Sequence, residues 1–380
     1  MNCLVKKTFL LVTFSILFIA LYAGDDFLLN IFIFDQSELV VTSESSFYNI
    51  SSDSDESRVS VRYLNISSIN NIIIINEMEY ESPVLILSDS PMAINEVSLA
   101  GAILLYSLPG QLIRVINRIG LEDYVSGVIA PEIGGNAPIE SQKAQAVATR
   151  TYTIAKVKQN VHAVDGYDLC SSVHCQVYKG LVGQTPQSQK AVLDTKGMIM
   201  FHDNTPIEAY YSSFCGGISE TSTNLWLTNH DYLMSKIDNV CVDVRLIPLW
   251  SQKNLNWEKD FTITELQNLL SLKNIIDIQI TKTNSSMRVE EVMIKSVSEN
   301  IFITGQYKLR NTFELPSSLF FIERNNNNIK FIGNGYGHGV GMCQIGAIAR
   351  ALQGHSFIEI LDFYYEGIVI KKNDIENLYY

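Results

Sequence analysis

Between Gly333 and Gly341 every second residue is glycine, in the order Gly333-Asn334-Gly335-Tyr336-Gly337-His338-Gly339-Val340-Gly341. Written this way and extended, the chain has one face without side chains, so another backbone or a flat sugar ring has to lie against it. The opposite face presents Asn334, Tyr336, His338 and Val340. No Gly-Lys-Ser/Thr follows, and the spacing differs from the dinucleotide fingerprint, which excludes a phosphate loop. The plainer alternative is a set of glycines packed tightly around a core histidine. Either way the segment has to sit inside a larger fold, and 380 residues of which 47% are apolar can supply one large domain or two ordinary ones.

Lys6 and Lys7 precede an apolar run over residues 9–21 that is interrupted only by Thr13 and Ser15. Residues 1–23 therefore read as an export segment, either a cleaved signal or an N-terminal anchor in the cytoplasmic membrane. The body is expected in the periplasm or cell envelope. A formal charge of −12 without a dense Lys/Arg block excludes a nucleic-acid surface. The expected substrate is neutral or only locally charged. Setting Cys3 aside with the export segment leaves five of six cysteines, an odd number that cannot be fully paired.

Residues 43–60, rich in Ser, Asp and Glu, read as a solvated linker or long loop. Clusters of β-branched residues over 71–77, 84–87 and 112–117 read as strands. Over residues 138–158 the pattern turns helical. Ala144, Ala148, Thr151 and Ala155 share a narrow face there, while Lys143 and Arg150 point together from another. Thr264 with Gln267 and Ser356 with Glu359 mark two helix starts, strands follow over 275–280 and 288–303, and a turn lies at 325–328. Strands and helices are mixed without a regular βαβ rhythm, so the fold class is α+β.

Besides the glycine-rich segment, three places can carry chemistry. Glu132, read as lying in a loop ahead of the helix, sits between Pro131 and Ile133; a carboxyl group partly removed from water there keeps a proton near neutral pH, as a general acid must. The bland alternative is a helix-start glutamate meeting backbone N–H groups. His162, Cys170, His174 and Cys175 can close a tetrahedral zinc site; the competing reading is a Cys170–Cys175 disulfide with bystander histidines. Tyr211 and Ser212, in the run from Ala209 to Gly217, join aromatic and hydroxyl groups that suit a sugar, or else flank a Gly-Gly turn beside a strand. Cys215 and Cys241 are the expected disulfide partners, which leaves Cys343 a thiol.

Together these blocks resemble the family of SpoIID (sporulation stage II protein D) and the amidase enhancers. The matching text is residues 121–132, 138–152, 167–178, 210–221, 308–310 and 335–347, all in the family's order, within a core over about 95–370. A β-rich region with its polar linker, 24–94, precedes that core and a tail, 371–380, follows it. The resemblance implies a peptidoglycan lytic transglycosylase that cleaves peptide-stripped glycan strands between N-acetylmuramic acid and N-acetylglucosamine, with Glu132 as catalyst. It also implies structural zinc on His162, Cys170, His174 and Cys175. Substrate contacts are expected at Lys143, Gln145, Arg150, Tyr211, Ser212, Tyr336, His338 and Gln344. The sequence departs from the family at Ser212, Tyr336 and Cys343, where members often carry His, Trp and Ser. The alternative from another class is a wall-binding module that activates an N-acetylmuramoyl-L-alanine amidase. If a second carboxyl group assists Glu132, the candidates are Asp123, Glu140 and Asp168.

Overall fold

The computed structural model describes residues 27–45, 47–226, 229–325 and 328–372. The export segment expected over 1–23 and nearly all of the tail lie outside the described residues. The chain divides into two compact units, one built from residues up to Pro131 and from 156–184, the other from Glu132–Ala155 and Thr185–Lys372. Helices, and strands in several sheets, occur together in an α+β architecture, as expected.

In the first unit the β-branched runs pair into two sheets. The larger is ordered Leu169–Cys170, Leu28–Gln36, Leu112–Gly120, Ala102–Leu108, Val84–Ser88, Phe47–Ser51 and Glu56–Ser60, antiparallel except for Leu169–Cys170, which pairs in parallel. The other is ordered Val97–Leu99, Met92–Ile94, Glu38–Ser43, Tyr63–Ile69, Ile72–Ile75 and Met78–Glu81. Alternation decides the inner face: Leu39 and Val41 are buried and Val40 between them is exposed. A 2.6 Å hydrogen bond between Ser68 and Ser107 ties the sheets together. The linker expected over 43–60 is instead largely a hairpin. Tyr48 and Ile50 are fully buried at the required spacing of two, and the polar residues fall on the turn and the outer face.

Helix α1 (Leu121–Ile133) follows directly from the sheet and buries Leu121, Tyr124, Val125, Val128 and Ile129 at helical spacing. Pro131 has no N–H to offer the Gly127 carbonyl, which accepts from the Lys179 amide at 3.2 Å instead. Tyr178 stacks on Tyr124 with ring centres 5.2 Å apart. Its hydroxyl donates to Asn117 Oδ1 at 2.6 Å, and Asn117 Nδ2 donates to the Ala100 and Ala102 carbonyls. The loop carrying the Cys/His cluster is thus fastened to both the helix and the sheet.

Helix α2 (Ile139–Gln159) is the helix expected over 138–158, but it is enclosed on nearly every side. Thr151 Oγ1 donates to the Val147 carbonyl at 2.7 Å and accepts from the Met200 amide at 3.1 Å, which binds the strand Met198–His202 to the helix. The second unit also contains α3 (Pro186–Asp194), α4 (Thr223–Trp226), α5 (Ile263–Leu270), α6 (Gln306–Phe313), α7 (Gln344–Leu352) and α8 (Phe357–Tyr364). Two three-stranded antiparallel sheets, drawn from residues 257–333, share a core with α5 and α6 that includes Leu266, Val292, Leu309, Phe313 and Phe331. The box on α5 is Thr262 with Glu265, two residues before the expected one, because Thr262 holds the extended backbone that a cap requires. Ser356 and Glu359 cap α8 as expected. The run over 288–303 is two strands, Val289–Ser296 and Asn300–Thr304, rather than one.

The alternating glycines do not form an extended strand. Gly335, Gly337, Gly339 and Gly341 have φ of 86°, 104°, 81° and 72°, so the segment winds through left-handed turns. The close backbone approach is nonetheless present. Tyr336 and Phe214 exchange backbone hydrogen bonds of 2.8 and 3.0 Å, and Tyr211–Ser212 pairs in parallel with Met342–Cys343. A Cβ on Gly341 would collide with the Tyr210 carbonyl, whereas one on Gly354, also left-handed at φ 92°, would meet no atom within 4 Å. Gly354→Ala should therefore cost about 1–2 kcal/mol of unfolding free energy, the backbone penalty alone. Gly341→Ala should cost at least about 2 kcal/mol more, because the Tyr210 backbone must also move. Equal losses in denaturant titrations would mean that the glycine loop does not press on this strand.

Candidate functional site

In the second unit, Glu132 occupies the last turn of α1 rather than a loop, since the apolar helical period runs through to the buried Ile133. Its side chain is half-buried. The loop that follows is pinned: Gln142 Nε2 donates to the Gly134 and Gly135 carbonyls at 3.0 and 2.9 Å, and Thr185 Oγ1 donates to Gly135 at 2.7 Å. Gln344, the first residue of α7, sends its Nε2 to Glu132 Oε2 at 3.0 Å and to Gln145 Oε1 at 3.4 Å. Gln145 Nε2 in turn donates to Thr149 Oγ1 at 3.2 Å. Gln145, Thr149 and Gln344 are all buried. Three expected site residues thus meet in one chain of hydrogen bonds that ends on a carboxylate.

Around the glycine loop the aromatic residues gather. Tyr210 stacks on Trp226 at 4.3 Å, Trp226 meets His338 edge-on at 5.3 Å, and Tyr152 meets Tyr211 edge-on at 6.4 Å. Trp226 and Tyr336 remain exposed, so each offers ring surface to solvent. His338 Nδ1 accepts from the Val340 amide at 3.0 Å, which leaves the proton of the neutral ring on Nε2. Desolvation first, then the Arg310 and Arg288 cations, hold His338 well below its ordinary pKa, so it is uncharged at neutral pH. Ser212 is buried and its Oγ finds no partner.

Lys143 and Arg150, expected at the edge of a cleft, are placed differently. Lys143 is held by Glu140 at 2.9 Å and Asp194 at 3.3 Å. Arg150 has no accessible surface; its Nη1 donates to the Met198 carbonyl at 3.1 Å and the Ala146 carbonyl at 3.4 Å. The correction follows from α2 being enclosed on this face too, so that the guanidinium binds backbone in the interior. Glu140 also accepts from the Phe357 amide at 2.9 Å, which commits both its oxygens to structure.

In the first unit His162, Cys170, His174 and Cys175 bring one donor atom each to within 4.8 Å of one another. His162 Nε2 lies 3.3 Å from Cys175 Sγ, and His174 Nδ1 lies 3.5 and 3.7 Å from the sulfurs of Cys175 and Cys170. Both cysteines are free. The hydrogen bond from Cys175, with those from Ser172 and His174, pushes the Cys170 thiol down to about 3, while Cys175 as the donor is pushed up. Asp165 takes the far nitrogen of His162 at 3.1 Å, the arrangement of a carboxylate behind a metal-ligating imidazole. Two sulfurs and two ring nitrogens are the donor set of a closed structural zinc site, so these residues fit that ion.

Sequence reasoning missed Trp226, Thr149 and Asp165. Trp226 is one of only three tryptophans and ends a short polar helix, which was the available signal. Thr149 and Asp165 act through other side chains and leave no local pattern.

The family model described as Stage II sporulation protein (SpoIID) matches residues 110–202. A second family, Domain of unknown function (DUF8618), matches residues 249–341. The chain is 29% identical over 299 residues to an uncharacterised protein of Brachyspira hyodysenteriae, which covers 77% of each chain. It is 30% identical to stage II sporulation protein D of Bacillus subtilis, over 68% of this chain and 76% of that protein. To the amidase enhancer of Bacillus subtilis it is 28% identical over 65% of this chain, spanning 40% of that longer protein.

The state of His338 gives a pH signature. A histidine depressed in the folded protein is protonated more readily once unfolded, so its contribution is complete above its ordinary value of 6.5 and is lost as pH falls below it. Lowering the pH from about 7.5 to about 4.5 should therefore cost wild type more unfolding free energy than His338→Gln. A difference between the two proteins that does not change with pH would show that His338 titrates normally.

Proposed function

The chain belongs to the family of stage II sporulation protein D, and from that membership and the geometry at Glu132 we propose that it is a lytic transglycosylase of the bacterial cell wall. Its substrate is the peptidoglycan glycan strand, especially strands stripped of peptide. The observation that carries this reading is the 3.0 Å bond from Gln344 to Glu132, which presents a half-buried carboxyl group in a fixed orientation. The exposed rings of Trp226 and Tyr336 supply faces on which sugar rings can lie.

The reaction needs one carboxyl group. Glu132 gives its proton to the oxygen linking C1 of N-acetylmuramic acid to N-acetylglucosamine, and the C1–O bond breaks with the electron pair leaving on that oxygen. The oxocarbenium-like centre is then attacked by the muramic acid's own C6 hydroxyl, whose proton returns to Glu132. No water is consumed, and the product ends in a 1,6-anhydro ring. Gln344 orients the carboxylate between the two proton transfers, and Gln145 fixes the Gln344 amide. Glu140 is committed elsewhere, which favours the single-carboxylate route.

The likeness to an amidase enhancer favours a second reading, in which the chain binds wall glycan and activates a cell-wall amidase. Both readings put its action outside the cytoplasm. Among the described residues no helix is long and apolar enough to cross a membrane. Zinc on His162, Cys170, His174 and Cys175 is structural: four side-chain ligands hold the loop and leave no position for a catalytic water.

On purified peptide-stripped strands, Glu132→Gln should lower the rate by about 10²- to 10⁴-fold while strand binding survives. Mass spectrometry should find products one water lighter than those of hydrolysis. Reducing ends that carry oxygen from labelled water would exclude the internal attack, and an unaltered rate in the variant would remove Glu132 from the reaction. A pure activator would leave strands intact and raise amidase turnover equally in both proteins. Replacing Cys170 and Cys175 together by Ser should remove about one zinc per chain and lower the melting temperature; an unchanged metal content would refute the zinc assignment.

A further inference from the structure

A second group of ligand-type side chains lies in the second unit, where sequence reasoning expected a Cys215–Cys241 disulfide and a lone Cys343. The structure brings all three sulfurs together with a carboxylate. One donor atom each from Cys215, Asp238, Cys241 and Cys343 lies within 4.8 Å of the others, and none of the four residues has accessible surface. Cys215 Sγ is 3.3 Å from Cys241 Sγ and 3.8 Å from Asp238 Oδ2, and all three cysteines are free. Asp238 and Cys241 are three residues apart, flanking the start of a 3₁₀ turn over Asn239–Val242, so both point into one spot from a single tight bend.

The surroundings suit charged ligands rather than thiols packed for volume. Cys343 Sγ accepts two backbone N–H groups, from Cys215 at 3.2 Å and from Gly346 at 3.3 Å, the latter in the first turn of α7. Asp238 is oriented from outside the cluster by Arg350 Nη2 at 2.8 Å and by the Tyr364 hydroxyl at 2.6 Å. Arg288, also buried, donates to the Cys215 carbonyl at 2.9 Å. Ligands held by outer hydrogen bonds are characteristic of built metal sites. A disulfide between Cys215 and Cys241 would leave Cys343 as a buried sulfur receiving two N–H bonds, beside an Asp238 held by Arg350 and Tyr364.

We propose that Cys215, Asp238, Cys241 and Cys343 bind a second structural metal ion, a thiophilic divalent cation of which zinc is the representative. Three thiolates and one carboxylate complete a tetrahedral set with no open position. The ion joins the segment after Phe214, the turn at Asp238 and the start of α7. Because Cys343 immediately precedes Gln344, it fixes the residue that holds Glu132.

The test uses the full-length chain purified without oxygen. Metal analysis should give about two zinc ions per chain in wild type and about one in Cys241→Ser. Cys170→Ser/Cys175→Ser should keep one and, loaded with cobalt(II), show the intense visible bands of a tetrahedral thiolate site. One zinc in wild type that is lost in a folded Cys241→Ser variant also supports the second site. Absence of zinc from wild type, a single ion that survives Cys241→Ser, or a double variant without cobalt bands overturns it. So does a Cys215–Cys241 or Cys343 disulfide in non-reducing peptide maps of the fresh protein. Should Cys241→Ser fail to fold, the wild-type count and the cobalt spectrum still decide.

Discussion

One amide nitrogen, Nε2 of Gln344, sets the orientation of the Glu132 carboxylate. It reaches the carboxylate and, on its other side, the carbonyl of a buried glutamine. A buried amide with two acceptors cannot turn over without leaving donors unsatisfied, so its orientation is set by the fold rather than by substrate. Its position rests on the helix it begins, on the parallel pairing of Met342–Cys343 with Tyr211–Ser212, and on the glycine loop that lets those backbones meet. The glutamate is thus positioned through a loop in which every second residue lacks a side chain.

What could be read from the sequence was whatever repeats locally. The helix over 138–158 followed from its helical period, and the strands expected over 71–77, 84–87 and 112–117 followed from clusters of β-branched residues. The enclosure of α2 did not, because Ser, Thr and Gln read as surface types and only their partners show them to be interior. Arg150 shows this most plainly: on a helical wheel it is a surface cation, and in the fold it grips a neighbouring strand's carbonyl. The alternating glycines were correctly taken to allow close approach and wrongly taken to be extended, since a period of two fits a strand and a series of left-handed turns equally well. The Ser-rich hairpin over 47–60 was hidden by composition, although Tyr48 and Ile50 carried the alternation.

The two clusters of cysteines differ in the same way. His162 to Cys175 fall within fourteen residues, and such density is visible in a linear chain. Cys215, Asp238, Cys241 and Cys343 come from before and after the β-rich stretch 257–333, so only the folded backbone shows that they converge. Their convergence gives the sulfur of Cys343 two others as neighbours.

The bond between Glu132 and Gln344 spans 212 positions. Read as time rather than distance, that interval orders the birth of the protein. The described residues of the first unit, with their Cys/His loop, have all been made by Gln184, well before α7. The carboxyl group cannot acquire its orienting amide until nearly the whole polypeptide has appeared, because contacts of such separation close last. If the chain is threaded through a membrane in this order, Glu132 lacks its orienting amide during transit and gains it only on arrival.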